Sequence, residues 1–228
     1  MRVLLLGHGR MGRLVESLAS DYDATIAGVI DERSGDSAIA DGTFGDVDVA
    51  IDFTLADAVA KNLPQLAARK INVVIGTTGW QAHEATMRTV ARDAEIGVLA
   101  ASNFSLGMNV FQLAVEEASR HFANFPEFGA WIHEAHHVTK KDAPSGTALT
   151  IKHGMEHAGF ARPIGMSSTR VGHVPGTHTV GFDGPSETIE FTHTVRDRAV
   201  FARGALAAAK WLIGKRGWFS LRDMLVEG

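Results

Sequence analysis

VLLLGHGRMG, at residues 3–12, joins a short apolar run to three glycines in the spacing G-x-G-x-x-G. The run predicts a buried strand, and apolar residues at helical spacing over residues 11–19 predict a helix directly after it. Between these elements the first glycine permits a tight turn, the second admits a pyrophosphate, and the third lets the helix pack closely on the strand. The stretch therefore predicts dinucleotide binding by Gly7, His8, Gly9, Arg10, Met11 and Gly12.

An acidic residue ends the second predicted strand. Asp31 lies 19 residues beyond Gly12, where a carboxylate accepts the ribose hydroxyls of a dinucleotide. The next residue, Glu32, would repel a 2′-phosphate, whereas Arg33 could reach one. This balance favours NADH as the cofactor and leaves NADPH open. The alternative is a glycine turn in a doubly wound fold that binds another ligand or none, with Glu32 and Arg33 in a solvated loop.

The first half of the chain alternates short apolar runs with helical patterns, which is typical of a parallel sheet covered by helices on both faces. The predicted strands are residues 3–6, 25–30, 47–51, 71–75 and 96–100. The predicted helices are residues 11–19, 55–68 and 82–94. The connection 31–46 is polar and too short for a full crossover helix. These patterns predict a doubly wound, Rossmann-type α/β domain over residues 1–105.

Three loops rich in small and hydroxyl residues follow later strands of this predicted sheet. They are residues 52–54 (DFT), 76–79 (GTTG) and 102–104 (SNF). Ligands of open α/β sheets bind outside the carboxyl ends of the strands. Each loop alone is an ordinary connection, but three at successive strand ends predict a shared crevice for the nicotinamide ribose and carboxamide.

The second half of the chain has a different texture, with strands and helices grouped rather than alternating. The predicted strands are residues 128–132, 165–171, 178–182 and 188–195, and the predicted helices are residues 107–121 and 147–158. This pattern predicts an inserted α+β domain over residues 106–203 with a mixed or antiparallel sheet. The last segment, residues 204–228, begins with an Ala-rich helix at 204–213 that we expect to pack back on the first domain.

The composition narrows the class of protein. With 45% hydrophobic and 21% charged residues in 228, the chain is expected to fold around a real core. A net charge of −4 gives no support for a nucleic-acid partner, and the lack of cysteine excludes disulfides and thiolate chemistry. The apolar run at residues 3–6 is too short for a secretory signal or a membrane span. We therefore expect a cytoplasmic protein without a membrane partner.

The densest group of chemically active side chains lies at residues 133–147 (HEAHHVTKKDAPSGT). Hydride transfer to a C=N or conjugated C=C bond needs a proton at the adjacent atom, and histidine suits that role near neutral pH. A nearby lysine supplies positive charge, and residues 144–147 open a helix whose N–H groups bind anions. The segment predicts a substrate with more than one carboxylate. Surface histidines without a role are the alternative.

The same segment also contains the zinc-protease pattern H-E-x-x-H at residues 133–137. That chemistry requires both outer histidines on one face of a helix. Pro126 and Gly129 before it, and Pro144 and Gly146 after it, oppose such a helix. In a strand the two histidines would lie ~13 Å apart, too far to share a metal ion. The sequence therefore predicts no metal site.

Over nearly its whole length the chain resembles the 4-hydroxy-tetrahydrodipicolinate reductase family, also called dihydrodipicolinate reductase. The resemblance is carried by GHGRMG at 7–12, IDFT at 51–54, GTTG at 76–79, NFS at 103–105, GMNV at 107–110, EAHH at 134–137, Lys140, DAPSGTA at 142–148, EFTH at 190–193 and AKWL at 209–212. The segment from 134 to 148 is the most specific of these. Some family members carry an arginine directly after the ribose-binding acid. This chain has Glu32 there, which favours NADH over NADPH.

The resemblance implies reduction of a dicarboxylate, 4-hydroxy-tetrahydrodipicolinate, by NAD(P)H in lysine and diaminopimelate biosynthesis, by a homotetramer whose second domains associate through their sheets. It implies that His136 donates the proton with help from Lys140. It implies substrate contacts from His137, Lys140, Ser145, Gly146 and Thr147, and cofactor contacts from Asp31, Gly76, Thr77, Thr78, Ala101, Ser102, Asn103 and Phe104. A sensor that binds NADH without turnover, and a reductase of another small dicarboxylate, are the rival functions.

Overall fold

The computed structural model describes residues 1–35 and 37–227. Asp36, within the predicted connection 31–46, and Gly228, at the end of the predicted C-terminal segment, lie outside the described residues. The chain forms two compact units. Unit 1 comprises Met1–Leu106 together with Ala199–Gly228, and unit 2 comprises Gly107–Arg198.

A six-stranded parallel sheet forms the centre of unit 1, in the order β10-β5-β4-β3-β1-β2. Its strands are β1 (Arg2–Leu6), β2 (Thr25–Ile30), β3 (Val49–Asp52), β4 (Asn72–Ile75), β5 (Gly97–Ala100) and β10 (Gly217–Phe219). The five strands predicted from apolar runs are confirmed. The sixth, β10, was not predicted, because three half-buried residues at a sheet edge do not form a recognisable apolar run.

Helices cover both faces of this sheet, which confirms the predicted doubly wound fold. They are α1 (Arg10–Leu18), α2 (Ala38–Asp41), α3 (Ala56–Ala68), α4 (Glu84–Asp93), α7 (Ala199–Leu212) and α8 (Leu221–Glu227). Alternate strand residues pack against α1 and α7 on one face and against α3 and α4 on the other. Among the described residues of the connection between β2 and β3, the four-residue α2 is the only helix, in agreement with the short length of this connection. No helix in the described part of the chain is long and apolar enough to span a membrane.

Unit 2 contains a mixed four-stranded sheet in the order β7-β6-β8-β9, where only the β6–β7 pair is parallel. Its elements are α5 (Leu106–Phe122, which begins one residue before the unit), β6 (Gly129–His136), α6 (Gly146–His157), β7 (Ile164–Arg170), β8 (Thr177–Asp183) and β9 (Thr188–Thr194). One face of the sheet packs against α5 and α6 around buried Ile132, Ile151 and Phe182. The predicted α+β texture with a mixed sheet is confirmed.

Strand β6 is longer than the sequence predicted, and this correction bears on the site. The prediction ended the strand at residue 132, where the apolar residues stop, but the strand continues to His136. Burial alternates along it, so Glu134 and His136 share the inward face with Ala130 and Ile132. Two ionisable side chains therefore occupy positions that a core strand normally gives to apolar residues.

Candidate functional site

The glycine turn of unit 1 has the geometry that a dinucleotide phosphate requires. A Cβ at Gly7 would lie 2.5 Å from the carbonyl oxygen of Phe53, and one at Gly12 would lie 2.0 Å from that of Gly7. Gly9 differs, because a Cβ there would meet no protein atom within 4 Å. Gly9 is also the N-cap of α1 and has no side chain to accept a hydrogen bond, so the first-turn N–H groups of α1 donate none to a capping side chain. The open space at Gly9 therefore fits a pyrophosphate.

Asp31 follows β2 and is held in an ionised state by its own turn. The backbone N–H of Arg33 donates to Asp31 Oδ1 at 3.0 Å, and the Ser34 hydroxyl donates at 3.2 Å. The Arg33 N–H is the main reason that the pKa of Asp31 lies below its ordinary value. Glu32 and Arg33 are both exposed. An ionised carboxylate at a strand end is the group that accepts ribose hydroxyls.

The loops after β3 and β4 are tied together by a buried carboxylate. Asp52 is 1% exposed and accepts hydrogen bonds from Thr54, Asn62 and Thr77. A Cβ at Gly76 would lie 2.1 Å from the Phe53 ring, so a larger residue there would displace that ring. These contacts fix the backbone of residues 76 and 77 at the carboxyl end of the sheet, where the sequence placed cofactor contacts.

A cavity of about 520 Å³ opens beside the ends of β4 and β5. Three predicted cofactor residues, Thr77, Ala101 and Ser102, line it together with Trp80, Arg88 and Trp218. Phe104 differs from these neighbours. The residue is 2% exposed, and its ring meets the Phe53 ring edge-on at 6.2 Å. The Phe104 ring packs in the core of unit 1, and its contact with a cofactor stays a prediction.

In unit 2 the candidate proton donor lies beside a buried carboxylate. His136 is 7% exposed, and its Nδ1 lies 3.0 Å from Glu134 Oε2, without the angle of a hydrogen bond. A Cβ at Gly176 would lie 3.2 Å from His136 Nε2, so glycine keeps side-chain atoms away from that nitrogen. Burial, opposed by Glu134, holds the pKa of His136 below its ordinary value.

The other carboxylate oxygen of Glu134 has three donors. Oε1 accepts from the Ser145 backbone N–H at 3.0 Å, the Ser168 hydroxyl at 2.7 Å and the Arg170 guanidinium at 2.8 Å. Burial opposes ionisation of Glu134, but these hydrogen bonds prevail and lower its pKa to about 2. Glu134 is therefore a buried anion throughout the neutral pH range.

His178, from β8, completes this group and is buried without a charge. Its Nε2 lies 3.2 Å from the Ser145 hydroxyl, and burial lowers its pKa to about 4. Nitrogen and oxygen atoms of Glu134, His136 and His178 lie within 4.8 Å of one another. The Arg170 guanidinium on the same carboxylate opposes a second cation there, so we assign no metal ion to the group. The strand geometry of residues 133–136 also confirms that the H-E-x-x-H pattern does not lie on a helix.

The predicted carboxylate-binding segment follows directly. Lys140 Nζ contacts both oxygens of Asp142 at 2.8 and 2.9 Å, and His137 Nδ1 lies 2.7 Å from the Thr139 hydroxyl. Helix α6 begins at Gly146, where a Cβ would meet no atom within 4 Å. Its first turn therefore presents backbone N–H groups beside an open position, as an anion site requires.

Ser145 has a different environment from its neighbours in this segment. It is 2% exposed, its hydroxyl accepts from the Ala148 N–H as the cap of α6, and its own N–H is bound to Glu134. With both groups engaged inside the protein, Ser145 orients the start of α6, and its part in substrate contact stays a prediction.

Three members of this network were not identified from the sequence: Ser168, Arg170 and His178. They come from strands β7 and β8, more than 30 residues after Glu134 in each case. One signal was available for His178, because it shares the inward parity of Val180 and Phe182 on β8. A polar residue at a core position of a strand indicates a buried hydrogen-bonded network.

These two sites, a dinucleotide turn on a doubly wound sheet and a histidine next to an anion-binding helix start, define a nicotinamide-dependent oxidoreductase. The comparisons with known proteins agree and are more specific. The family described as "Dihydrodipicolinate reductase" matches with its N-terminal part at residues 1–104 and its C-terminal part at residues 107–225. The chain belongs to the dihydrodipicolinate reductase family, which confirms the resemblance stated from its motifs.

Full-length relatives support this membership. The chain is similar to the 4-hydroxy-tetrahydrodipicolinate reductases of Christiangramia forsetii (35% identical, covering 100% of this chain and 98% of that protein) and Xanthomonas euvesicatoria pv. vesicatoria (40% identical, 99% and 98%). Its fold is similar to that of a dipicolinate-bound dihydrodipicolinate reductase from Paenisporosarcina sp. TG-14, with a TM-score of 0.81, 20% identity and coverage of 98% and 99%.

Proposed function

We propose that the protein reduces 4-hydroxy-tetrahydrodipicolinate to tetrahydrodipicolinate with NAD(P)H, in lysine and diaminopimelate biosynthesis. The nicotinamide cofactor, bound by the glycine turn and Asp31 in unit 1, supplies a hydride when present. His136 protonates the neighbouring atom of the substrate from Nε2, and the 4-hydroxyl group of the substrate leaves as water, which balances the overall reaction. Lys140, His137 and the first turn of α6, at Gly146 and Thr147, hold the two carboxylates. With such a substrate and cofactor, we place the reaction in the cytoplasm.

The observation that carries this proposal is the convergence in unit 2. A buried histidine, a lysine and the N-terminus of α6 all contact or adjoin the same Glu134–Arg170 network. A protein that only senses NADH has no use for a proton donor beside an anion site. The two carboxylates of the proposed substrate match the two positive features of this segment.

The proposal is tested by mixing the protein with NADH and a freshly generated tetrahydrodipicolinate precursor. We expect loss of the NADH absorbance at a rate proportional to protein concentration. Tight NADH binding without turnover would favour the sensor instead. Turnover with another small dicarboxylate but not with this substrate would favour a reductase of that other dicarboxylate.

Cofactor preference gives a separate prediction. We propose NADH as the preferred cofactor, because Glu32 is exposed next to Asp31, where it repels a 2′-phosphate. Replacing Glu32 with arginine should raise the ratio of NADPH to NADH efficiency by about tenfold, since a charge-assisted contact replaces a repulsion. The ratio is measured from kcat/KM with each cofactor. The matched control is Glu187→Arg, the same charge change at an exposed residue of unit 2; equal ratios in all three proteins would remove Glu32 from the ribose site.

We further propose a homotetramer that associates through the sheet face of unit 2 opposite α5 and α6. On that face the ring of Trp131 lies over Gly181, where a Cβ would fall 2.3 Å from the indole. Thr179 and Thr192 pair across neighbouring strands at 3.0 Å. Tryptophan is enriched in protein–protein interfaces, so the half-buried Trp131 on this face supports self-association there.

The variant Trp131→Glu should therefore lower the oligomeric state, because it places a charge within a face that we propose to be covered. Sedimentation velocity measures the mass of the assembly. The control is Phe125→Glu, which alters an aromatic residue of the same unit that is already 50% exposed. If the parent protein is a tetramer, an unchanged mass for Trp131→Glu would exclude this face as the interface. A monomeric parent protein would exclude the tetramer itself.

A further inference from the structure

Glu134 links the proton donor, the start of α6 and the segment of Lys140 in the candidate site of unit 2. Through Oε2 it adjoins His136, and through Oε1 it binds the backbone N–H of Ser145, immediately before α6. The third link runs through Arg170, whose guanidinium also donates to the backbone carbonyls of Lys140 and Asp142. A carboxylate at 1% exposure with this set of partners is not explained by packing alone.

We propose that Glu134 is a positioning residue, whose carboxylate orients the His136 ring with Nδ1 toward Oε2 and stabilises its protonated form, so that Nε2 delivers the proton. The proposal rests on the proposed function, in which His136 is the proton donor. It adds a residue that never touches the substrate and acts only through His136.

The hydrogen-bond pattern of the carboxylate supports this role. All three strong donors bind Oε1, while Oε2 and His136 Nδ1 have no hydrogen-bond partner although they lie 3.0 Å apart and are buried. An unpartnered buried acceptor next to an unpartnered buried ring nitrogen is costly. A proton on Nδ1 satisfies both atoms after a small rotation of the ring. That arrangement leaves Nε2, the nitrogen next to Gly176, as the donating atom.

The charges around His136 give the sign of the effect. Lys140, Arg170 and His137 each lower the pKa of His136, as does burial, which is the largest cause. His178, which packs edge-on at 5.1 Å, is neutral at pH 7. Among these groups Glu134 alone favours the protonated ring. Without its charge, His136 would lose its proton at still lower pH, and less of the donor form would exist at neutral pH.

The test is an NMR titration of the His136 ring in the full-length protein, assigned from the spectrum of a His136→Gln variant. In Glu134→Gln, which keeps the shape of the side chain, the pKa of His136 should fall by about one unit or more. The alkaline limb of kcat against pH should move to lower pH by the same amount. The titration needs neither substrate nor turnover, so it stands even if the proposed reaction fails.

Three controls separate charge from structure. Ser168→Ala removes a hydrogen bond to Oε1 but keeps the carboxylate, so the pKa of His136 should stay within a few tenths of a unit. Arg170→Gln removes the positive charge, so the pKa should move upward, opposite to Glu134→Gln. Glu117→Gln, at the exposed pair with His121 on α5, should leave the pKa of His136 unchanged.

An unchanged His136 pKa in Glu134→Gln, or an equal downward shift in Ser168→Ala, overturns the proposal, because the network would then act through structure alone. If Glu134→Gln does not fold, Glu134→Asp takes its place. That variant retains the charge but withdraws it by one methylene, and a smaller downward shift of the same sign is required. A shift in the opposite direction would also overturn the proposal.

Discussion

Replacing His136 with glutamine should lower the turnover number by about 10²-fold or more while leaving NADH affinity nearly intact. Glutamine can still form hydrogen bonds in the space of the ring, but it cannot deliver a proton at neutral pH. The cofactor residues lie in unit 1 and His136 in unit 2, so binding and proton transfer should separate cleanly. The measurements are kcat with the proposed substrate and the NADH dissociation constant from fluorescence.

A matched substitution shows whether the loss belongs to this histidine. His157→Gln makes the same chemical change at an exposed position at the end of α6, and its kcat should equal that of the parent protein. An unchanged kcat for His136→Gln would remove His136 from the proton-donor role. A parallel loss of NADH affinity and thermal stability would point to misfolding of the whole chain instead.

The fold was predictable where apolar patterning is unambiguous. Strands buried on both faces, such as β1 and β3, form continuous apolar runs, and the glycine turn fixes where the first helix begins. The predicted end of β6 was wrong because the last buried residues of that strand are polar rather than apolar. Strand β6 continues through Glu134 and His136 because their polar atoms are accommodated by partners from other strands, and no local pattern shows this.

The candidate site was predictable in the same uneven way. The residues of one contiguous segment, from His136 to Thr147, could be chosen because spacing and chemistry coincide within it. Arg170 could not, since the pairing of β6 with β7 brings it to Glu134. His178, which the pairing of β6 with β8 brings to Glu134, offered one signal, its position on the inward face of β8. The sequence also gave no indication that Phe104 and Ser145 would be buried by packing and capping. The motif identifies the side chains that are available, and the pairing of strands and the packing around them determine which of these side chains are engaged inside the protein.

The glycine turn allows a prediction in which substitutions of Gly9 and Gly12 should differ in their effects on stability and on NADH binding. In Gly12→Ala the new Cβ would fall 2.0 Å from the backbone carbonyl of Gly7, which cannot move without opening the turn between β1 and α1. We expect a loss of stability of about 2–4 kcal/mol, seen as a lower Tm, or failure to fold. In Gly9→Ala the Cβ meets no protein atom within 4 Å, so the Tm should fall far less, by no more than the small cost of alanine at a helix N-cap.

NADH binding should be weakened by Gly9→Ala, although this variant has the smaller effect on the Tm. The methyl group of Gly9→Ala enters the space that we assign to the pyrophosphate, so NADH affinity should fall by about tenfold or more in a fully folded protein. Gly129→Ala is the control, because its Cβ would make only an ordinary contact at 4.0 Å in unit 2. Unweakened NADH binding by Gly9→Ala would mean that the phosphates lie elsewhere. An unchanged Tm for Gly12→Ala would mean that the approach of α1 to the turn is looser than the 2.0 Å contact requires.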